Sequence, residues 1–206
     1  MTARGPVFRI LVVCTGNQCR SPAAERLLVQ HLVTSQQSRF ELDSAGTAGV
    51  QGVPMHPCTV AALQTRGVAA EGHEARTLTR SQVTQADLVL TAERSHRLFV
   101  AQVDAEARGR TFTLTEFDRL AIVALRIGVL NPWELVAAAA ALRGQFLPAD
   151  PTEDDLPDPV QGSPGQHEAI VARIDSLTAQ IAASLVASAQ QPVFRQVKGR
   201  RAALRW

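Results

Sequence analysis

Val13-Cys14-Thr15-Gly16-Asn17-Gln18-Cys19-Arg20-Ser21-Pro22-Ala23-Ala24-Glu25 is the stretch that decides the fold. Just before it, Val7-Phe8-Arg9-Ile10-Leu11-Val12-Val13 is a short apolar, β-branched run, the pattern of a buried strand. Just after it, Ser21 can cap a helix, Pro22 suits a first helical position, and Ala24, Leu27, Leu28, His31 and Leu32 recur at helical spacing. A cysteine therefore ends a strand, a short loop turns, and an arginine and a serine open a helix. Such a loop points several backbone N–H groups at one spot, where the helix dipole adds partial positive charge. Arg20 brings a permanently charged, planar fork that matches phosphate oxygens. A thiol held there is stabilised as the thiolate and becomes a nucleophile at neutral pH. The competing reading of Cys14 is an ordinary buried cysteine at a strand end. That reading leaves the arginine and serine at this spacing unexplained.

Outward from this stretch, the elements alternate in the manner of a parallel α/β sheet covered on both faces. Phe40-Glu41-Leu42-Asp43-Ser44-Ala45 predicts a second strand, with a loop marked by Gly46 and Gly49. Residues 57–66 predict a short helix stopped at Gly67. Leu88-Val89-Leu90 reads as a third strand, a helix begins near Glu93, and Thr111-Phe112-Thr113 is a fourth strand. Within 115–147, one helix covers Thr115 to Ala124. A second is announced by Asn131-Pro132-Trp133-Glu134, runs from Leu135 to Arg143 and stops at Gly144. Packing is its simplest role, and a lid or partner-binding surface beside the active site is the alternative. Residues 150–165 hold four prolines and five acids and form a loop. Ser163 and Gln166 then box the start of a last helix with Ile170, Ile174, Leu177, Ile181 and Leu185 on one face.

A chain of 206 residues suits one α/β domain, taken as 1–191, followed by a basic tail at 192–206. That tail carries Arg195, Lys198, Arg200, Arg201 and Arg205 with no acid. Taking its five cations from the overall net charge of +2 leaves residues 1–191 at −3. A solvated terminus is the simpler reading of the tail, and contact with an anionic partner is the alternative. Residues 1–6 lack a signal-peptide layout, and no apolar run reads as membrane-spanning, so a soluble, cytoplasmic protein is expected. Three cysteines, Cys14, Cys19 and Cys58, make no disulfide scaffold, and no Cys/His spacing resembles a zinc site. Neither a metal nor a cofactor is called for. The histidines, His31, His56, His73, His96 and His167, show no paired spacing and read as structural or surface groups.

Residues 13–25 resemble the phosphate-binding loop of the low-molecular-weight protein tyrosine phosphatases, whose fold is shared with thiol-dependent arsenate reductases. The resemblance continues through Asp43-Ser44-Ala45-Gly46-Thr47, Ala86-Asp87-Leu88-Val89-Leu90 and Asp158-Pro159, and so spans most of residues 7–187. It implies a three-layer α-β-α fold with a four-stranded parallel sheet in the order 2-1-3-4 and the phosphate loop after strand 1. It implies that Cys14 attacks phosphorus to give a phosphocysteine. Thr15, Gly16, Asn17, Gln18, Cys19, Arg20 and Ser21 would cradle the phosphate, with Ser21 also bonding the thiolate. Asn17 would brace the loop against Ser44, Gly16 would admit close backbone approach, and Cys19 would pair with an oxidised Cys14. A leaving alkoxide needs a proton, so a general acid is required. Asp158 matches the family's acid loop, while Asp154 and Asp155 compete by position.

The expected activity is hydrolysis of phosphomonoesters, phosphotyrosine on protein foremost, by a monomer with no nucleic-acid partner. Two departures bear on the phosphotyrosine preference and not on the phosphate chemistry. Val160 and Gln161 follow Asp158-Pro159 where the family carries aromatic residues, and the chain has no tyrosine. Gln18 takes a usually apolar loop position, and Val50 stands near an expected aromatic rim position. Arsenate reduction on the same loop is the alternative, although residues 59–206 hold no resolving cysteine. A non-catalytic phosphoprotein-binding module is a third reading, favoured only if Cys14, Arg20 or Asp158 were missing.

Overall fold

The computed structural model describes residues 7–33, 40–129 and 131–190. The readings of residues 1–6 and of the basic tail at 192–206 fall outside these. Four parallel strands, β1 (Phe8–Cys14), β2 (Phe40–Gly46), β3 (Leu88–Thr91) and β4 (Thr111–Thr113), form a sheet in the order β2-β1-β3-β4. β1 lies between two neighbours, and every residue except Arg9 is buried, as expected of a central parallel strand. Its alternating side chains serve two cores. Phe8, Ile10, Val12 and Cys14 face the larger helical layer, whereas Leu11 and Val13 face the smaller one.

The larger layer contains α1 (Arg20–Val33), α2 (Pro57–Gln64), α5 (Leu114–Leu125), α6 (Pro132–Leu142) and α7 (Pro164–Gln190). The smaller contains α3 (Arg80–Gln85) and α4 (Arg94–Val103). The result is the expected three-layer α-β-α arrangement. α1 begins at Arg20, two residues before the first helical position expected at Pro22. α3 was not expected: it has six residues and one buried side chain, Val83, too little for a periodic signal. Its start is nevertheless fixed by a reciprocal capping box between Thr79 and Gln82.

α6 starts where Asn131 Oδ1 accepts the Glu134 N–H at 2.9 Å, and it buries Pro132, Leu135, Val136 and Ala139 against α5 and α7. The Trp133 ring meets Phe8 edge-on at the amino end of β1, with its N–H on Asp87. α7 corrects the reading that no segment reaches membrane-spanning length. Few charges interrupt its Ala/Ile/Leu run, so it passes by length and composition. In this fold it buries Val171, Ile174, Leu177, Ile181 and Leu185 in the core beside α1 and α5.

Parallel strands deliver all their carboxyl ends to one edge, where an open α/β sheet gathers its ligand loops. Cys14 stands there at the end of β1, paired in register with Gly46 at the end of β2. A Cβ on Gly46 would lie 2.4 Å from the Thr15 carbonyl oxygen, so only glycine lets these two loops touch. Thr47 and Ala48 N–H groups then donate to the Cys14 and Thr15 carbonyls, both at 2.9 Å, tying the second loop to the first.

Candidate active site

The loop from Cys14 to Arg20 is braced through Asn17, which is fully buried. Asn17, not Gly16, takes the left-handed backbone conformation, with φ of 55°, a region asparagine tolerates better than most residues. Its Oδ1 accepts the Arg76 backbone N–H at 3.0 Å, which fixes the orientation of the amide. Its Nδ2 donates to Ser21 Oγ and to Ser44 Oγ, both at 2.9 Å. Ser44 in turn donates to Glu25 at 2.6 Å. Ser21 Oγ also lies 3.0 Å from Cys14 Sγ and 3.4 Å from the Ala45 carbonyl, to which it can donate. The expected bracing of Asn17 on Ser44 is therefore present, and it extends to Arg76 and Glu25.

Two further histidines bear on the loop. His73 Nε2 sits 2.7 Å from the Asn17 carbonyl, and His96 Nε2 sits 2.9 Å from Thr15 Oγ1. His96 Nδ1 accepts the Glu93 backbone N–H, so its Nε2–H donates to Thr15. Burial holds the His96 imidazole below its ordinary pKa; Glu93 opposes this and Arg20 reinforces it. Neither contact was legible in sequence spacing, because both partners arrive from distant elements.

Arg20 is 1% exposed, and its guanidinium is almost wholly engaged. Nη1 donates to Glu93 Oε1 and to the Leu156 carbonyl, the latter at 2.9 Å. Nη2 donates to Thr15 Oγ1 at 3.2 Å and to Asp158 Oδ2 at 2.5 Å. Nε has no protein partner. A buried cation needs compensation, and two carboxylates provide it. Glu93, the second of them, was missed by the sequence reading; its only local mark is its place at the N-cap of α4.

The acid loop separates its three competing aspartates by their partners. Asp154 is held by both Nη atoms of Arg119, at 2.7 and 3.1 Å. Asp155 accepts the Arg94 backbone N–H at 2.8 Å and the Arg94 side chain at 2.9 to 3.2 Å. Burial opposes ionisation of Asp155, but the Arg94 contacts outweigh it and hold the carboxyl below its ordinary pKa. Leu156 N–H reaches the Ala92 carbonyl at 2.9 Å. Only Asp158 enters the cleft.

That cleft, about 110 Å³, is lined by Cys14, Thr15, Gly16, Gln18, Cys19, Arg20, Asp158 and Val160. None of the lining comes from 115–147, and Val50 is not part of it. A Cβ on Gly16 would make only ordinary contact, with the Gln18 side chain, whose Nε2 is nearest at 3.6 Å. Burial pushes the Cys19 thiol up to about 11, against an opposing hydrogen bond from Thr59, so Cys19 is protonated at neutral pH. The arrangement can hold an oxyanion against buried N–H groups, offer it a thiol at a strand end, and place a carboxyl group opposite.

Comparison with known proteins agrees with this geometry. Residues 9–139 match the family described as low molecular weight phosphotyrosine protein phosphatase. Etp of Escherichia coli K12, a low molecular weight protein-tyrosine-phosphatase, is 40% identical over 105 residues, covering 50% of this chain and 66% of Etp. The match thus spans about two thirds of that relative's length. The structure of Vibrio vulnificus Wzb in complex with benzylphosphonate aligns with a TM-score of 0.63 at 27% identity, covering 87% of this chain and 100% of that one. The YwlE arginine phosphatase from Geobacillus stearothermophilus aligns with a TM-score of 0.63 at 26% identity, over 86% of this chain and 92% of its own. The chain belongs to the low molecular weight phosphotyrosine protein phosphatase family, a family of cysteine-based phosphatases.

Proposed function

We propose that this chain hydrolyses phosphomonoesters on protein, phosphotyrosine foremost, through a phosphocysteine on Cys14. The observation that carries the proposal is the convergence of Cys14, Arg20 and Asp158 on one cleft at the carboxyl end of the sheet. Cys14 Sγ, 3.0 Å from the Ser21 hydroxyl, gives up its proton and attacks phosphorus in line. The Arg20 edge formed by Nε and Nη2 takes two phosphate oxygens, and phosphate displaces Asp158 from Nη2 as it binds. Glu93 and the Leu156 carbonyl stay on Nη1 and hold that edge toward the thiol. Once displaced from Arg20, the Asp158 carboxylate takes up, through solvent, the proton that the Cys14 thiol gives up, and delivers it to the leaving oxygen. Its carboxylate then takes a proton from water as the water attacks the phosphocysteine.

A second substrate class has its own support. The cleft wall bears Gln18 and Val160 and no aromatic side chain to stack on a tyrosine ring. The Geobacillus relative is an arginine phosphatase, and a phosphorylated guanidinium, flat and polar beyond its phosphate, suits such a wall.

Steady-state hydrolysis of para-nitrophenyl phosphate tests the chemistry. Wild-type turnover is expected, with none in Cys14→Ser and a loss on the order of 10²–10³-fold in kcat for Asp158→Ala. An active Cys14→Ser variant would refute it. Matched peptides carrying phosphotyrosine or phosphoarginine then rank the two substrates by kcat/KM.

A further inference from the structure

Beside the phosphate loop, the fold assembles three potential metal ligands that the cysteine chemistry does not use. His56 caps α2, Cys58 lies in its first turn, and His167 arrives from the first turn of α7. One donor atom from each lies within 4.8 Å of the other two. The His56 and His167 rings stack, with centroids 4.3 Å apart and planes 14° from parallel. No short-range Cys/His spacing announces this set, because His167 comes from the far end of the domain.

His167 is the decisive member. It is 0% exposed, and its Nε2 has no hydrogen-bond partner. Its Nδ1 lies 2.9 Å from Thr59 Oγ1. Metal binding requires the tautomer in which Nδ1–H donates to Thr59, which leaves the Nε2 lone pair free in a buried position. Histidines that bind metals are oriented in this way, through a hydrogen bond from the other ring nitrogen. A buried polar atom without a partner calls for an explanation, and a cation supplies one.

We propose that His56, Cys58 and His167 form a zinc site clipping α2 to α7. The donor set is two imidazoles and one thiolate, which favours zinc over magnesium or calcium. Cys58 is half-buried and lines a surface cavity together with Ala61, Pro164 and Glu168, so the thiol end of the set faces solvent. Glu168 is no ligand here, since both of its oxygens are held by Arg66 at 2.6 and 3.1 Å. Zinc bonds of about 2.0–2.3 Å place neighbouring donors roughly 3.3–3.8 Å apart, so the set must close by about 1 Å.

His56 supplies that movement. It is only half-buried, and its ring turns out of the stack on His167, giving up the 3.2 Å contact between its Nδ1 and the Cys58 N–H. The ring proton then resides on the nitrogen that does not bind zinc. Cys58 Sγ loses its proton to solvent as the zinc–sulfur bond forms, so binding releases one proton and involves no redox change. The His56 backbone N–H donates to the Gln18 carbonyl at 2.9 Å, so the clip abuts the phosphate loop.

Cobalt substitution tests the site without relying on activity. In a Cys14→Ser/Cys19→Ser background, Cys58 is the only thiol left in the chain. One equivalent of cobalt is expected to give a thiolate-to-cobalt charge-transfer band that one equivalent of zinc abolishes. His56→Asn keeps a capping side chain on α2, and it is expected to weaken zinc binding by about tenfold or more. Should the double variant fold poorly, zinc-dependent melting of the otherwise native chain gives the same answer. Zinc is expected to raise its Tm, and Cys58→Ser is expected to remove that rise. Absence of the cobalt band in a folded double variant would overturn the proposal, as would zinc stabilisation that survives Cys58→Ser.

Discussion

Arg20 carries the anion site because its charge is both buried and shared. Glu93 and Asp158 pair with opposite nitrogens, and only Asp158 stands on the edge that phosphate must occupy. Glu93 is thus a standing counter-ion, whereas Asp158 is an exchangeable one. Glu93→Gln keeps an acceptor for Arg20 and removes the charge, which leaves a buried guanidinium undercompensated. Stability is expected to fall by about 1–2 kcal/mol, given that Glu93 is itself partly exposed. Inorganic phosphate supplies negative charge at the same guanidinium, so it should raise the Tm of Glu93→Gln by more than that of the wild type. Thermal melts with and without phosphate make the comparison, and an equal rise in both proteins would contradict the assignment of Glu93.

At the scale of elements, the acid loop is set by two arginines before it reaches Asp158. Arg119 of α5 holds Asp154 and Arg94 of α4 holds Asp155, so the loop is anchored to both helical layers within four residues of the acid. Arg94→Ala should lower kcat on the order of tenfold while leaving KM close to the wild-type value, since Arg94 positions the acid and does not line the cleft. A matching rise in KM with unchanged kcat would instead mean that Arg94 acts on substrate binding. The same loop shows where sequence stops being informative. Asp154, Asp155 and Asp158 are chemically identical within five residues, and only partners from distant elements tell them apart. The strand–loop–helix from Phe8 to Val33 was legible because cysteine, arginine, serine and the apolar spacing each restrict local structure independently. Glu93, His73 and His96 were not, because their roles are contacts across 56 to 81 positions of sequence. α3 was invisible because one buried valine makes no period.

For the whole molecule, buried ionisable groups set the response of stability to pH. Burial holds His96 and His167 below their ordinary pKa, so the fold favours their neutral forms. The unfolded chain gains protons on them below about pH 6.5. Their contribution to stability is therefore complete above that pH and is lost as pH falls toward their lowered folded values. Asp118 works in the opposite sense. Burial raises its pKa to about 6, and its Oδ1 has no partner. Its contribution is complete below its unfolded value of about 4 and is lost as pH rises through about 6. At about pH 8 it is a half-buried charge that nearby Arg119 offsets only in part, so Asp118→Asn should stabilise the protein there by about 1 kcal/mol, after allowance for solvent screening. At about pH 4 the gain should vanish. Denaturation at the two pH values measures it, and an equal gain at both would contradict the assignment.

Trapping the covalent intermediate bears most directly on the account as a whole. A single turnover of an aryl phosphate by Asp158→Ala, quenched in acid and digested, is predicted to yield the peptide around Cys14 with phosphate on sulfur. Product released from the enzyme with no phosphate on Cys14, or with phosphate on any other residue, would contradict it.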